Sequence, residues 1–89
     1  MGMLDGKIAI ITGSGRGIGA AAAHLFAAEG ASVVVSDLDP NPAEETAGAI
    51  RNAGGKAIVV AGDVTNEAFP TQLIKATLDN FGGIDIIVN

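Results

Sequence analysis

KIAIITGSGRGIG, residues 7–19, runs from a short isoleucine-rich stretch through a glycine-marked turn into the start of a helical pattern. Lys7 to Thr12 has strand length and a short apolar run rich in isoleucine, as expected of a parallel strand buried on both faces. From Gly17 to Glu29 the residues Ile18, Ala21, Ala22, Leu25 and Ala28 recur at helical spacing, and Gly30 supplies a stop. Between strand and helix, Gly13 permits a tight turn, while Gly17 and Gly19 put no side chain between backbone and ligand. An anion can then approach the free N–H groups at the positive end of the helix. Taken alone, such a turn could equally be a loop that closes a strand–helix unit.

Outward from this segment the same alternation continues. Ser32 to Asp37 (SVVVSD) reads as a second buried strand. Asn41 is placed to cap a second helix, with Pro42 at its first position, Glu44 as in a capping box, and Ala43, Ala47 and Ile50 as its buried stripe. Gly54 and Gly55 end it. Lys56 to Gly62 forms a third strand. A third helix runs at least from Pro70 to Phe81 with Leu73, Ile74, Thr77, Leu78 and Phe81 inward, and Pro70 makes the residues before it a separate turn or an entry kink. Ile84 to Val88 is a fourth strand. Alternating strands and helices with short glycine-marked loops imply a parallel sheet with right-handed crossovers. The fold class is α/β, the N-terminal half of a Rossmann-type doubly wound sheet with strand order 3-2-1-4.

Eighty-nine residues leave room for one small domain or part of a larger one. Ten acids against five bases, a net charge of -5, argue against a partner bound through nucleic-acid phosphates or an anionic membrane. Hydrophobic residues make up 48% and charged residues 17%, which is too apolar for disorder. With no cysteine there is neither disulfide nor thiolate metal site. The acidic start MGMLDGK lacks the basic region of a signal peptide, and no apolar run approaches the ~18 residues of a membrane span, so a soluble, cytoplasmic protein is expected. No tyrosine is present and His24 is the single histidine, so a phenol acid or a histidine pair within these residues is excluded. His24 falls on the flank of its helix away from the apolar stripe and reads as a surface residue. As possible metal or acid-base pairs, Glu44/Glu45 and Asp37/Asp39 fit a solvated face better, and no metal site is expected.

Asp37 closes the second strand about 20 residues after the glycine turn, where an acid meets the ribose hydroxyls of a dinucleotide. A carboxylate there repels a 2′-phosphate. Two unit charges near 4 Å interact by about 4 kcal/mol at an effective dielectric of 20, so NAD is favoured over NADP.

TGSGRGIG resembles the TGxxxGxG fingerprint of the short-chain dehydrogenases/reductases, with Gly13, Gly17 and Gly19 at its glycine positions. The resemblance implies that the whole loop, including Ser14, Gly15, Arg16 and Ile18, contacts the cofactor. Arg16 is similar to a base with which some members hold a 2′-phosphate, whereas Leu38 stands where NADP-preferring members often carry Arg. Asp63 and Val64 resemble the family's Asp-Val step at the adenine edge, and Asn89 matches the first Asn of its NNAG segment.

The likeness runs from Lys7 through Asn89 and stops before the family's Tyr-x-x-x-Lys pair. Residues 1–89 therefore read as part of a dinucleotide-binding domain without catalytic residues, expected to be inactive alone. The implied parent oxidises an alcohol or reduces a ketone, with oxoacyl reductases and sugar or steroid alcohol dehydrogenases as candidate groups. The alternatives are a nucleotide-binding module without catalysis and a structural fragment that associates with other chains. Strand four, left at an open edge with apolar residues, is expected to drive homo-oligomer formation.

Overall fold

The computed structural model describes residues 2–88. Its elements alternate as β1 (Ile8–Thr12), α1 (Gly17–Ala28), β2 (Ser32–Asp37), α2 (Pro40–Asn52), β3 (Lys56–Ala61), α3 (Phe69–Phe81) and β4 (Ile86–Val88). The four strands form one sheet in the order β3-β2-β1-β4, and every pairing is parallel. This is the α/β order expected from the sequence. Thr12 stands opposite Ser36 and Asp37 opposite Ala61, so the strands end together and the loops after them gather along one edge.

Strand alternation sorts the core into two layers. Ile11, Val33 and Val35 pack with Ala23 of α1 and Ala43, Ala47 and Ile50 of α2. Ile10 and Val34 face the other way, against Phe69 and Leu73 of α3.

The helices correct several expectations. In α1 the buried residue is Ala23, with Ala22, Phe26 and Ala27 packed beside it, whereas Ile18 and Leu25 are 91% and 60% exposed and Ala21 and Ala28 are also outside. The helix is apolar nearly all round, so periodicity did not select a face. Close packing selects it instead: a Cβ on Gly19 would collide with the Gly13 carbonyl oxygen, which turns the small-residue side toward the sheet.

Helix α2 begins two residues before the expected point. Asp39 is the cap, its Oδ1 accepting the Asn41 N–H at 3.0 Å, and Pro40 takes the first position. Asp39-Pro40 meets the same rule as Asn41-Pro42, two residues earlier. Glu44 makes no capping box and lies 3.6 Å from Arg51. The stripe Ala43, Ala47 and Ile50 is buried as expected, joined by Thr46.

In α3, Leu73 and Thr77 are buried and Phe81 is half-buried, but Ile74 and Leu78 are exposed. Phe69 takes the inward place because the helix starts there, with Pro70 following in its first turn. Strand β4 is shorter than expected. Asp85, ahead of it, accepts the Ile8 N–H on Oδ2 at 2.9 Å and donates its own N–H to the Ile8 carbonyl at 2.9 Å, ending the regular ladder.

Candidate functional site

Apart from Asn89, the functional candidates lie where β1, β2 and β3 end and the turns after them begin. Gly13 and Gly17 both adopt φ of +63°, the left-handed region that a side chain resists, and a Cβ on either would meet open space. The loop thus turns its bare backbone outward. Arg16, in extended conformation, precedes α1 without a side-chain cap, and the first turn of the helix holds no acid. Among the described residues the first amides of α1 are therefore free of side-chain partners, as an anion site at a helix start requires.

The Gly15 peptide is clamped on both sides. Its N–H donates to Asp37 Oδ2 at 2.9 Å, and its carbonyl accepts from the Thr46 hydroxyl at 2.9 Å. A Cβ on Gly15 would stand 2.8 Å from the same Asp37 oxygen, so the carboxylate reaches the backbone only because the side chain is absent. Asp37 Oδ1 accepts the Leu38 N–H at 2.7 Å. The acid at the end of β2 and the turn after β1 are thus one hydrogen-bonded unit. Thr46 escaped the sequence reading because its role depends on α2 crossing beneath the loop. A polar residue interrupting the apolar stripe between Ala43 and Ala47 was its visible signal.

Ser14 serves the loop from below. It is fully buried, its hydroxyl donates to the Ile11 carbonyl at 2.6 Å and accepts the Ser36 N–H at 3.0 Å, and its own N–H continues the ladder to Ser36. Ile18 and Leu38 project into solvent. Arg16 is exposed and lies 3.6 Å from Asp39.

An open cleft of about 340 Å³ lies beside the loop, lined by Thr12, Gly13, Asp37, Leu38, Gly62, Asp63 and Val64. It brings together residues that the sequence marks separately on three strand ends. Asp63 Oδ1 accepts from the Thr65 hydroxyl at 2.7 Å and the Thr65 N–H at 2.8 Å. Those two bonds, the hydroxyl's first, hold the carboxyl below its ordinary value and keep it ionised. Asn89 lies outside the described residues. His24 is exposed, and among the described residues no group of three or more His, Cys, Asp or Glu could hold a metal ion. Among them, too, no helix is long and apolar enough to cross a membrane.

A uniform pattern emerges from comparison with known proteins. The chain is 43% identical over 85 residues to an uncharacterized oxidoreductase of Thermotoga maritima, covering 96% of this chain and 33% of that protein. To the 7alpha-hydroxysteroid dehydrogenase of Escherichia coli it is 44% identical over 86 residues, covering 97% and 34%. The crystal structure of a hydroxysteroid dehydrogenase from Escherichia coli superimposes with a TM-score of 0.94 at 44% identity, over 97% of this chain and 37% of that one. The chain thus spans about a third of the length of these relatives. The sequence model of the family described as short chain dehydrogenase matches residues 7–89. With the parallel 3-2-1-4 sheet and its glycine-rich turn, that match establishes that this chain belongs to the short-chain dehydrogenase family.

Proposed function

We propose that residues 1–89 are the dinucleotide-binding part of an NAD-dependent oxidoreductase that interconverts a secondary alcohol and a ketone. The supporting observation is the hydrogen-bonded union of the Gly15 peptide with Asp37, which holds an anion-accepting turn and a ribose-type acid in one rigid unit. A bound nicotinamide dinucleotide supplies the hydride acceptor or donor. In this reading the loop Gly13 to Gly19 and the amides of α1 receive the pyrophosphate, with Gly13, Gly17 and Gly19 keeping side chains out of its way. Asp37 retains acceptor capacity on both oxygens for ribose hydroxyls, and Leu38 flanks them without adding a positive charge. Asp63 and the Val64 amide would address the adenine edge, and Asn89 is the family-type Asn that comes next in sequence after the fourth strand.

The residues that move the proton belong, in this proposal, to further polypeptide, since the 89 residues contain no tyrosine. Among substrate groups a hydroxysteroid is supported by the named relatives, beside the oxoacyl and sugar alcohol classes. Those relatives are oxidoreductases, which favours an enzyme over a non-catalytic nucleotide module.

Titrating NADH fluorescence with the protein tests the reading: saturable binding is expected, tighter for NADH than for NADPH. Equal or tighter NADPH binding would transfer the weight from Asp37 to Arg16. The 89 residues alone should leave NAD unreduced in the presence of secondary alcohols. We also propose self-association through β4, whose Ile87 is exposed on an outer strand. Sedimentation of the 89-residue chain at high micromolar concentration should find dimers or larger species, and a sharp monomer boundary would refute this.

A further inference from the structure

We propose that Asp39 is a specificity-determining residue that withholds Arg16 from the 2′-phosphate of NADP; this rests on the dinucleotide reading above. The two oxygens of Asp39 have different partners. Oδ1 accepts the Asn41 N–H at 3.0 Å and caps α2, which fixes the carboxylate, and Oδ2 lies 3.6 Å from the Arg16 guanidinium. The helix cap therefore sets where the guanidinium rests.

No other base shares that edge among the described residues. Lys7 and Lys56 sit at the amino ends of β1 and β3, Arg51 is engaged by Glu44 and the Ala57 carbonyl, and Lys75 is paired with Asp79 on α3. Arg16 directly follows Gly15, whose N–H is bonded to Asp37, so it is the positive charge beside the acid that faces the ribose. A phosphate on that ribose would need Arg16 as its counter-charge. Asp39 occupies the guanidinium and adds a like charge to those of Asp37 and Asp63 at the same edge.

Both side chains are largely in water, 73% exposed for Arg16 and 50% for Asp39, so the pair contributes little to holding the fold. Its weight falls on the choice between two ligands that differ by one phosphate.

Asp39→Asn isolates this effect, because Asn caps a helix about as well as Asp and the substitution removes only the charge. Dissociation constants for NADH and NADPH are measured by fluorescence titration on the whole protein for four forms: unaltered, Asp39→Asn, Arg16→Ala and the double variant. The expected result is a rise of about fivefold in the NADPH-to-NADH affinity ratio for Asp39→Asn, the scale of a freed surface ion pair plus one lost repulsion. That gain should vanish in the double variant and shrink as salt is raised. If the unaltered protein binds a dinucleotide but Asp39→Asn leaves the ratio unchanged, or the gain survives without Arg16, the proposal is overturned and the dinucleotide reading stands. Binding of neither nucleotide by the unaltered protein overturns both.

Discussion

On one face of the sheet Ile11, Val33 and Val35 lose all contact with water beneath two helices, α1 and α2. On the other, α3 alone covers Ile10 and Val34, and Ile74, Leu78 and Ile87 remain 42%, 46% and 58% exposed. An apolar cleft of about 250 Å³ runs between α3 and the outer strand, lined by Ile10, Phe69, Leu73, Ile74 and Ile87 among others. The difference has a functional consequence. The closed face carries the clamp on the glycine-rich turn, since Thr46 of α2 and Asp37 hold Gly15 between them. Apolar burial on that side therefore secures the geometry of the candidate site, whereas the α3 face is packed for the sheet and leaves surface to be covered.

The sharpest way to break this contrast is to truncate one isoleucine on each side. Ile11→Ala removes a fully buried side chain from the closed face and should cost about 2–5 kcal/mol in urea unfolding. Ile74→Ala trims a side chain already half in water and should stay within about 1 kcal/mol. Comparable losses would mean that both faces are equally closed in solution, as association across the α3 side would produce.

The same contrast explains how far the fold and the site could be read from the residues. Buried parallel strands declare themselves through runs such as Ile8–Ile11 and Val33–Val35, and the turn through its glycines, so element order and sheet order were legible. Helix faces were legible only where polar and apolar residues alternate. In α2 the charged residues Glu44, Glu45 and Arg51 leave no doubt about the inner stripe, while α1, built from Gly17 to Ala28 almost wholly of small and apolar residues, offers every face equally. Its true face is set by the near contact of Gly19 with the Gly13 backbone, a fact of three dimensions. At the site, Asp37 was legible from its distance to the glycines. Thr46 and the Asp39–Arg16 pair were not, because each joins residues that only the packing of α2 beneath the loop brings together.

A second pair of effects, smaller than that of Ile11→Ala, concerns one buried hydroxyl on each face. Thr46, on the closed side, donates to the Gly15 carbonyl, and Thr77, Ser14 and Thr46 all satisfy their hydroxyls. Ser36 does not: alternation places it on the same face as Val34, and among the described residues its Oγ is the buried side-chain polar atom without a partner. Thr46→Val keeps the shape and leaves the Gly15 carbonyl without its donor, so a loss of about 1–3 kcal/mol is expected. Dinucleotide affinity should fall with it, and Thr46→Ser should restore both. Ser36→Ala deletes an oxygen that makes no bond and leaves untouched the Ser36 N–H to Ser14 Oγ contact, which belongs to the backbone. Its unfolding midpoint should be unchanged or raised, by no more than about 1 kcal/mol in stability. A clear destabilisation by Ser36→Ala would show that the hydroxyl is satisfied in solution, by a water or by covering chain on the α3 face, and that this face is less open than the fold of residues 2–88 makes it.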